Sequence, residues 1–573
     1  MLPIRYVWLL LLTFCAGALR AQTPALPASA PAIQASPAAQ SLTPRQVAGV
    51  AALGQLWGLL KYHHPAVAAG QQDWDAALLR QLPALLACRT TAEQRQLLRG
   101  WVRSLGEVPA CPSCATPPAL PVHTTPDLRW ARESRVFDSA LRRQLVYIQA
   151  NRYQGEPYYV GKLPAGNASF PHEEAYANQA CPDVGLRILA LCRFWNMVEY
   201  YSPYKELAAR PWARVLPELL PVFVAADTPL RYRHAVLRLL GELQDGHATL
   251  APDALLDQEA GAYLVPAVVQ FIGEQAVVRH VRQDGIGQPS PLAPGDIITH
   301  LNSVPVAELI RRRLPETPGS NRPARLRLIA RELLFIPTPT LTLDLLREGR
   351  PLRVQAEARL YSTLTPVPRA AADSLYRFLT PTVGYIDMAQ VRRDKLPRMM
   401  QTFRQTRGLI IDLRNYPGDF VAGQLPGYFL REPATFARYA QFDTRAPGRF
   451  LRADPDTVYP QAGPGLPYTG RVVVLVNEIT LSQGEFTAMT LRATPNCTIL
   501  GSQTAGADGN RCSITLPGGL KTGMSGIGVY YPDGRPTQGL GIVPDVVVQP
   551  TPDGLRAGRD ELRERALELL QRQ

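Results

Sequence analysis

The chain has 573 residues, of which 46% are hydrophobic and 19% are charged. This length exceeds what one hydrophobic core supports, and it predicts about three or four domains of ordinary globular composition. A net charge of +13 would suggest nucleic acid if the basic residues clustered, but the five lysines and the many arginines are spread through every segment. We therefore expect no nucleic-acid partner.

The N-terminus has the pattern of a secretory signal peptide. Arg5 supplies the positive charge, residues 6–15 are mostly apolar, and residues 16–21 contain the small residues of a cleavage site. We assign residues 1–21 to the signal peptide and the Ala/Pro/Gln-rich residues 22–41 to a disordered linker. No other segment approaches the roughly 20 apolar residues that span a bilayer. The mature protein is therefore expected to be periplasmic or extracellular, without stable membrane insertion.

Seven cysteines remain after signal cleavage. In an exported protein some of them are expected to pair. The motif Cys111-Pro112-Ser113-Cys114 has the spacing of half a zinc site, but neither a second pair nor a His-x-His motif completes it. The motif predicts either a local disulfide or two free thiols. We expect no metal site and no cofactor.

Two helical units resemble each other at a constant offset of 138 residues. They are residues 42–125 and residues 181–255, separated by a connector at 126–180. The repeat of rare residue types indicates an internal duplication. Only the second unit continues into Asp245-Gly246-His247, so the first is expected to be structural. The matching residues are Trp57, Tyr62, Pro65, Trp74 and Pro83 with Trp195, Tyr200, Pro203, Trp212 and Pro221.

Residues 256–362 change to alternating β-type segments. Candidate strands are 267–271, 276–281, 297–301 and 341–346, with a short helix at 307–312. The run LAPGDIITHLN at 292–302 resembles a PDZ domain, a module that binds a peptide by adding it as a strand to its own sheet. We therefore predict a PDZ-like domain here.

Residues 370–573 alternate strands with helices, which predicts an α/β core. The candidate strands are 383–388, 408–413, 472–476 and 498–501; the candidate helices are 396–406, 484–491 and 560–571. The fold class is thus multidomain α/β, with a duplicated helical N-terminal region and a PDZ-like β domain.

Ser482 lies where the apolar strand 472–476 leads into a helix. A serine at such a junction can act as a nucleophile, and the N–H of the next residue can face a developing oxyanion. The sequence Ser482-Gln483-Gly484-Glu485 is also a capping box, which only satisfies helix N–H groups. The junction alone leaves both interpretations open.

Four segments together resemble the tail-specific, or C-terminal processing, serine peptidase family. They are residues 474–510, residues 408–420, Asp245-Gly246-His247 and the PDZ-like run. The resemblance implies an exported serine endopeptidase that acts on peptides or proteins, with Ser482 as the nucleophile. One design in this family places a lysine in a T-x-G-K turn, where this chain has Ala507. The other, tricorn-core-like design uses a histidine, and His247 matches it as the general base.

The resemblance also implies the residues that assist the reaction. The backbone N–H groups of Gln483 and Gly418 are the candidate oxyanion donors. The tricorn-like design has a serine before the histidine and a late glutamate, where this chain has Gly246 and Gln538. Gln538, Glu485 and Asp245 are therefore candidates to orient His247. These departures support an alternative, a weakly active or inactive peptide-binding scaffold on the same fold.

Overall fold

A computed structural model of the protein describes residues 42–282, 290–364, 375–463 and 466–571. The predicted signal peptide and linker, residues 1–41, lie outside the described residues. Within the described ranges, no helix is both long and apolar enough to cross a membrane.

The N-terminal half is built mainly of helices. Most of these helices begin at a Thr or Asp whose side chain accepts a hydrogen bond from the first turn. The elements are α1 (Pro44–His63), α2 (Pro65–Ala68), α3 (Trp74–Ala87), α4 (Thr91–Ser104), β1 (Val122–Thr124), α5 (Arg129–Glu133), α6 (Ser139–Ala150), β2 (Gly161–Lys162), β3 (Ala168–Ser169), α7 (Val184–Tyr201), α8 (Trp212–Ala225), α9 (Pro229–Leu243) and α10 (Ala254–Ala260).

The same pair of indole hydrogen bonds occurs in both helical units. Trp57 Nε1 donates to the Trp74 carbonyl at 2.8 Å, and Trp74 Nε1 donates back to the Trp57 carbonyl at 2.9 Å. Trp195 and Trp212 make the equivalent bonds at 2.8 and 3.0 Å. All four rings are buried, so each unit satisfies its indole N–H groups internally.

Cys111 and Cys114 form a disulfide. Of the two alternatives that the C-P-S-C motif left open, the structure has the local disulfide. The other cysteines within the described ranges are free.

A β-rich unit follows, and its strands confirm the predicted ones. Its main sheet has the order β11-β10-β7-β6-β5, and α12 packs beside the edge strand β5. The elements are β4 (Tyr263–Leu264), β5 (Ala267–Ile272), β6 (Gln275–Val281), β7 (Ile297–Leu301), β8 (Val304–Pro305), α11 (Val306–Arg313), α12 (Arg322–Glu332), β9 (Phe335–Ile336), β10 (Thr340–Arg347), β11 (Arg350–Glu357) and β12 (Arg359–Leu360).

The C-terminal part is the predicted α/β core. It also contains antiparallel strands that the sequence analysis did not predict. The elements are β13 (Tyr376–Thr380), β14 (Val383–Asp387), α13 (Leu396–Phe403), β15 (Gly408–Asp412), β16 (Ala434–Phe442), β17 (Phe450–Arg452), β18 (Asp456–Val458), β19 (Arg471–Val476), α14 (Gln483–Arg492), β20 (Cys497–Gly501), β21 (Arg511–Leu516), β22 (Leu520–Ser525), β23 (Gly528–Tyr530), β24 (Val546–Val547), α15 (Pro552–Arg556) and α16 (Glu561–Gln571).

The central sheet of this core has the order β13-β14-β15-β19-β20-β24. From β14 to β24 the neighbouring strands are parallel. Alternate residues of β15 and β19 pack toward α13 and α14 on one face and toward α16 on the other. Burial on both faces explains the continuous apolar runs in the sequence. Because β15 and β19 are parallel, the loops that follow them lie at the same edge of the sheet. Parallel α/β sheets usually hold their sites at this edge.

Candidate active site

Ser482 lies in the loop after β19 and immediately precedes α14. Its backbone has φ 51° and ψ −116°, a conformation that costs a non-glycine residue on the order of 1–3 kcal/mol. Two acceptors hold the Ser482 N–H there, the Ala507 carbonyl at 3.1 Å and Glu485 Oε2 at 3.2 Å. The side chain is half-buried. This arrangement, a serine on a strained turn between strand and helix, is typical of a nucleophile.

Glu485 joins the Ser482 turn to the next loop of the core. Its carboxylate is fully buried and accepts hydrogen bonds from Gly506 N at 2.7 Å, from Ala507 N at 2.9 Å and from the Thr504 hydroxyl. Burial raises the pKa of Glu485, and these donors oppose the rise. Among the described hydrogen bonds, none joins Glu485 to His247, so its contacts fix the backbone and do not orient the histidine.

His247 lies on a short loop that follows α9. A Cβ built on Gly246 would lie 2.8 Å from the Ala507 Cβ and 3.6 Å from a methyl carbon of Leu481. Ala507 holds the Ser482 N–H, and Leu481 precedes Ser482. The two loops therefore pack against each other, although the chain positions of His247 and Ser482 are far apart. The predicted nucleophile and the predicted base lie in adjoining loops.

Ser525, at the end of β22, contacts the His247 ring. Ser525 Oγ lies 2.9 Å from His247 Nδ1 and 2.9 Å from Asp245 Oδ1. The Asp245 carboxylate also accepts from His247 N at 2.9 Å and from Ser525 N at 2.6 Å. Asp245, His247 and Ser525 are all buried. Asp245 therefore reaches the imidazole through the Ser525 hydroxyl.

The directions of the hydrogen bonds from His247 through Ser525 to Asp245 fix the tautomer of His247. A carboxylate only accepts hydrogen bonds, so the Ser525 hydroxyl donates its hydrogen to Asp245. Ser525 Oγ must then accept a hydrogen from His247 Nδ1. The neutral ring consequently carries its free lone pair on Nε2, which is the nitrogen that a general base uses in a Ser-His pair.

The pKa of His247 is lowered from its usual value of 6.5. Burial is the main cause, and the positive charge of Arg511 adds to it, whereas the negative charge of Asp245 opposes both. Arg511 also binds this loop directly, because its Nε donates to the His247 carbonyl at 3.0 Å. A lowered pKa keeps the imidazole neutral, and so able to accept a proton, at pH values below 6.5.

Gln538 contacts the same loop at a different place. Its amide nitrogen donates to Ser320 Oγ at 3.1 Å, and Ser320 Oγ also accepts the Gly246 N–H at 2.8 Å. The described hydrogen bonds include none from Gln538 to the His247 ring. Of the three candidate orienting residues, Asp245 is therefore the one linked to the ring, while Gln538 and Glu485 support the two loops.

The turn after β15 lies against the start of α14. Gln483 Nε2 donates to the Asp419 carbonyl at 2.6 Å. The Gly418 N–H, one of the two predicted oxyanion donors, is already bonded to the Met388 carbonyl at 2.9 Å. By contrast, the described hydrogen bonds show no acceptor for the backbone N–H of Gln483 or of Asp419. The unengaged donors beside Ser482 thus belong to Gln483 and Asp419.

Neither Ser525 nor Ser320 was predicted as a site residue from the sequence. Each lies about 70 to 280 residues from the loop that it binds, and neither belongs to a local motif. Within the described residues, no group of three or more His, Cys, Asp or Glu side chains could hold a metal ion.

Comparison with known proteins identifies a family for part of the chain. Residues 382–548 match the sequence model of peptidase family S41. No curated protein sequence is significantly similar to the chain. Among solved structures, mature CPAF complexed with lactacystin superposes with a TM-score of 0.52 and 13% sequence identity, covering 68% of this chain and 98% of that chain. Mature CPAF alone gives a TM-score of 0.51 and 13% identity, with coverage of 68% and 96%.

Residues 382–548 thus form a serine peptidase S41 region, and this is the part of the chain that carries the family match. At 13% identity, the likeness to CPAF concerns the fold alone.

The Glu485 contacts generate a stability prediction. Glu485→Gln places an NH2 donor among N–H and O–H donors, so at least one buried group loses its partner. We expect the free energy of unfolding to fall by about 2–4 kcal/mol, measured by denaturant titration. Glu432→Gln, on an exposed residue, is the matched control and should change stability by less than about 0.5 kcal/mol. An equal, small effect of both substitutions would contradict the structural role of Glu485.

Proposed function

We propose that the protein is an exported serine endopeptidase with Ser482 as the nucleophile and His247 as the general base. The observation that carries the proposal is the Asp245–Ser525–His247 hydrogen-bond chain, which presents a base of the correct tautomer on the loop that packs against the Ser482 turn. A strained serine, a neutral buried histidine and two unengaged N–H groups are the parts that acyl transfer requires.

The proposed reaction has two stages. Ser482 Oγ attacks the peptide carbonyl carbon while its proton passes to His247 Nε2, and the carbonyl oxygen becomes an oxyanion. The N–H groups of Gln483 and Asp419 stabilise this charge. Collapse of the intermediate breaks the C–N bond, and His247 returns the proton to the leaving amine. Water then attacks the acyl-serine ester with His247 again as base, which releases the acid and restores Ser482.

Asp245 and Ser525 stabilise the imidazolium that forms at each step. The carboxylate does not touch the ring closely, since Asp245 Oδ1 and His247 Nδ1 are 3.9 Å apart. Its negative charge acts across the bridging hydroxyl, in a buried place where Coulombic interactions are strong. A charged orienting group is thereby retained, although position 538 carries a neutral glutamine.

The Ser-His design is supported over the Ser-Lys design. Ala507 occupies the position of the catalytic lysine, and Gly246 of the histidine loop packs directly against its methyl group. A long side chain at position 507 would displace that loop. Elsewhere, Lys61 and Lys205 are paired with Glu173 and Glu199, and Lys521 is exposed on β22.

The β-rich unit supports a role in holding the peptide. Its strand β5 is at the edge of the sheet, with α12 beside it. This combination of an edge strand and a helix is the groove that a PDZ-like domain uses for strand addition. Ser320, which immediately precedes the α12 cap residue Asn321, reaches the His247 loop, so we propose that the groove leads peptide toward the site.

Export is supported by the Cys111–Cys114 disulfide, because disulfides persist in oxidising compartments.

The equivalent indole bonds of the two helical units support the proposed duplication. In an experimental structure, residues 44–104 should superpose on residues 184–243 with Trp57 on Trp195 and Trp74 on Trp212. Failure to align both tryptophans together would exclude duplication.

The alternative function is a peptide-binding scaffold without efficient catalysis. The observation that favours it is the engaged Gly418 N–H, which leaves this predicted oxyanion donor unavailable. Covalent labelling of Ser482 distinguishes the two functions, because only an activated serine forms an adduct with a fluorophosphonate.

We predict that residues 22–573 form a single fluorophosphonate adduct, read by intact mass, and that Ser482→Ala abolishes it. His247→Ala should lower the labelling rate by about 10²- to 10⁴-fold, the contribution of a general base, without changing the melting temperature by more than a few degrees. His234→Ala, on a helix outside the site, is the matched control and should label normally. Absence of any adduct, with peptide binding retained, would support the scaffold instead.

We also predict that Ser525→Ala slows labelling while the protein stays folded. Without the bridging hydroxyl, Asp245 stabilises the imidazolium less, so the pKa of His247 falls further. In a plot of labelling rate against pH, the plateau at alkaline pH should therefore drop by about tenfold or more. The midpoint of the fall in rate on the acid side should shift to lower pH. In wild type that midpoint already lies below 6.5, since burial lowers the pKa of His247.

Ser513→Ala is the matched control, because Ser513 is exposed on the neighbouring strand β21. It should leave both the plateau and the midpoint unchanged. If Ser525→Ala lowers the melting temperature but leaves the pH midpoint in place, then Ser525 has only a structural role.

A further inference from the structure

A cavity of about 570 Å³ lies beside α14. This volume is within the range of pockets that bind small ligands or ligand groups. We call it the α14 cavity. Its walls include Phe486 and Thr490 from α14, Phe420 from the turn after β15, Phe436 from β16, and Val458 and Tyr459 from the end of β18.

Two residues of the cavity wall, Phe420 and Phe486, connect it to segments of the candidate active site. Phe486 follows Ser482 by one helical turn, and its N–H donates to the Ser482 carbonyl at 2.9 Å. Phe420 follows Asp419, whose carbonyl accepts the Gln483 side chain. The rings of Phe420 and Phe486 stack with centroids 6.0 Å apart. The cavity wall therefore starts from both segments that carry the proposed oxyanion donors.

The chemistry of the wall favours an uncharged apolar group. Phe436 packs its ring edge-on against Phe486 at 5.3 Å, so three phenyl rings form one side. Among the described residues that line the cavity, Asp456 is the only acidic or basic one. Its carboxylate already accepts the Tyr439 hydroxyl at 2.7 Å and the Thr457 N–H at 2.8 Å. Three phenyl rings against this one carboxylate favour an apolar substrate side chain over a charged one.

We propose that the α14 cavity selects the substrate residue that supplies the carbonyl of the cleaved bond, and that this residue has a large apolar side chain, aromatic or of leucine size. The inference rests on the proposed peptidase function. The carbonyl oxygen must lie at the N–H groups of Gln483 and Asp419, and the side chain leaves the adjacent Cα of the same residue. The nearest apolar wall is then that of Phe420 and Phe486.

Gly423 offers a way to fill the cavity without disturbing the fold. It lines the α14 cavity, and a Cβ built there meets no atom within 4 Å and requires no left-handed backbone. Gly423→Phe should therefore occupy the space intended for the substrate side chain. Gly100→Phe is the matched control, because Gly100 lies on α4 and is equally open.

The experiment uses diphenyl phosphonates that carry either a benzyl or a methyl side chain at the position equivalent to the selected residue. We expect the residues 22–573 protein to react with the benzyl compound about 10- to 100-fold faster, as burial of an aromatic side chain allows. Gly423→Phe should reduce this ratio to near one, and Gly100→Phe should keep it. Mass spectrometry of a cleaved peptide mixture should show Phe, Tyr or Leu before the cut.

The outcomes separate this inference from the proposed function. If a small fluorophosphonate labels Ser482 but the benzyl compound has no advantage, the cavity assignment is wrong and the peptidase proposal stands. The same holds if Gly423→Phe folds and keeps the wild-type ratio. If no serine-directed reagent reacts with Ser482, the proposed function itself fails. A melting temperature for each variant shows whether it is folded.

Discussion

The buried carboxylate of Glu485 is the constraint on which the candidate site depends. Removing a carboxylate from water costs several kcal/mol unless donors surround it, and here the donors come from the Ser482 turn and from Thr504, Gly506 and Ala507. The same contacts hold Ser482 at a positive φ that its side chain disfavours. Helix capping and presentation of the proposed nucleophile are therefore one arrangement. The capping box fixes the backbone, and that backbone conformation determines where the serine lies.

The position of the histidine loop depends in turn on Ala507. Glu485 binds the Ala507 N–H, and the Ala507 methyl group packs against Gly246 so closely that a side chain at position 246 would collide with it. This packing explains why glycine stands where the tricorn-like pattern has a serine. Ser525 supplies a hydroxyl to His247 from another strand, and Asp245 supplies the charge that Gln538 lacks. In the proposed Ser-His mechanism, this one hydrogen-bond chain takes the place of both residues that the family pattern has and this chain lacks.

The sequence predicted those features whose determinants are local. The Val-rich run before Ser482 predicted a buried strand, and the structure has this strand, with Ser482 between it and the predicted helix. The glycine-containing loop with His247 also follows a helix, as predicted. Ser525 could not be predicted, because its contact with His247 joins residues 278 apart and no spacing rule connects them. The Gly418 N–H is not free because it donates to the Met388 carbonyl. The sequence of a glycine-containing turn does not reveal this tertiary contact. Contacts between residues that are distant in the sequence, and not residue type, decided both points.

The His247 loop is also where three units of the chain meet. Its backbone continues from α9, Ser320 of the β-rich unit accepts the Gly246 N–H, and Ser525 and Arg511 of the α/β core bind the ring and the carbonyl of His247. A loop with a glycine at its centre would sample many conformations by itself. Contacts from three directions restrict it to one, so the proposed base is oriented only when all three units are docked. The candidate site is consequently a property of the assembled chain, and the S41 region alone lacks both His247 and the Ser320 contact.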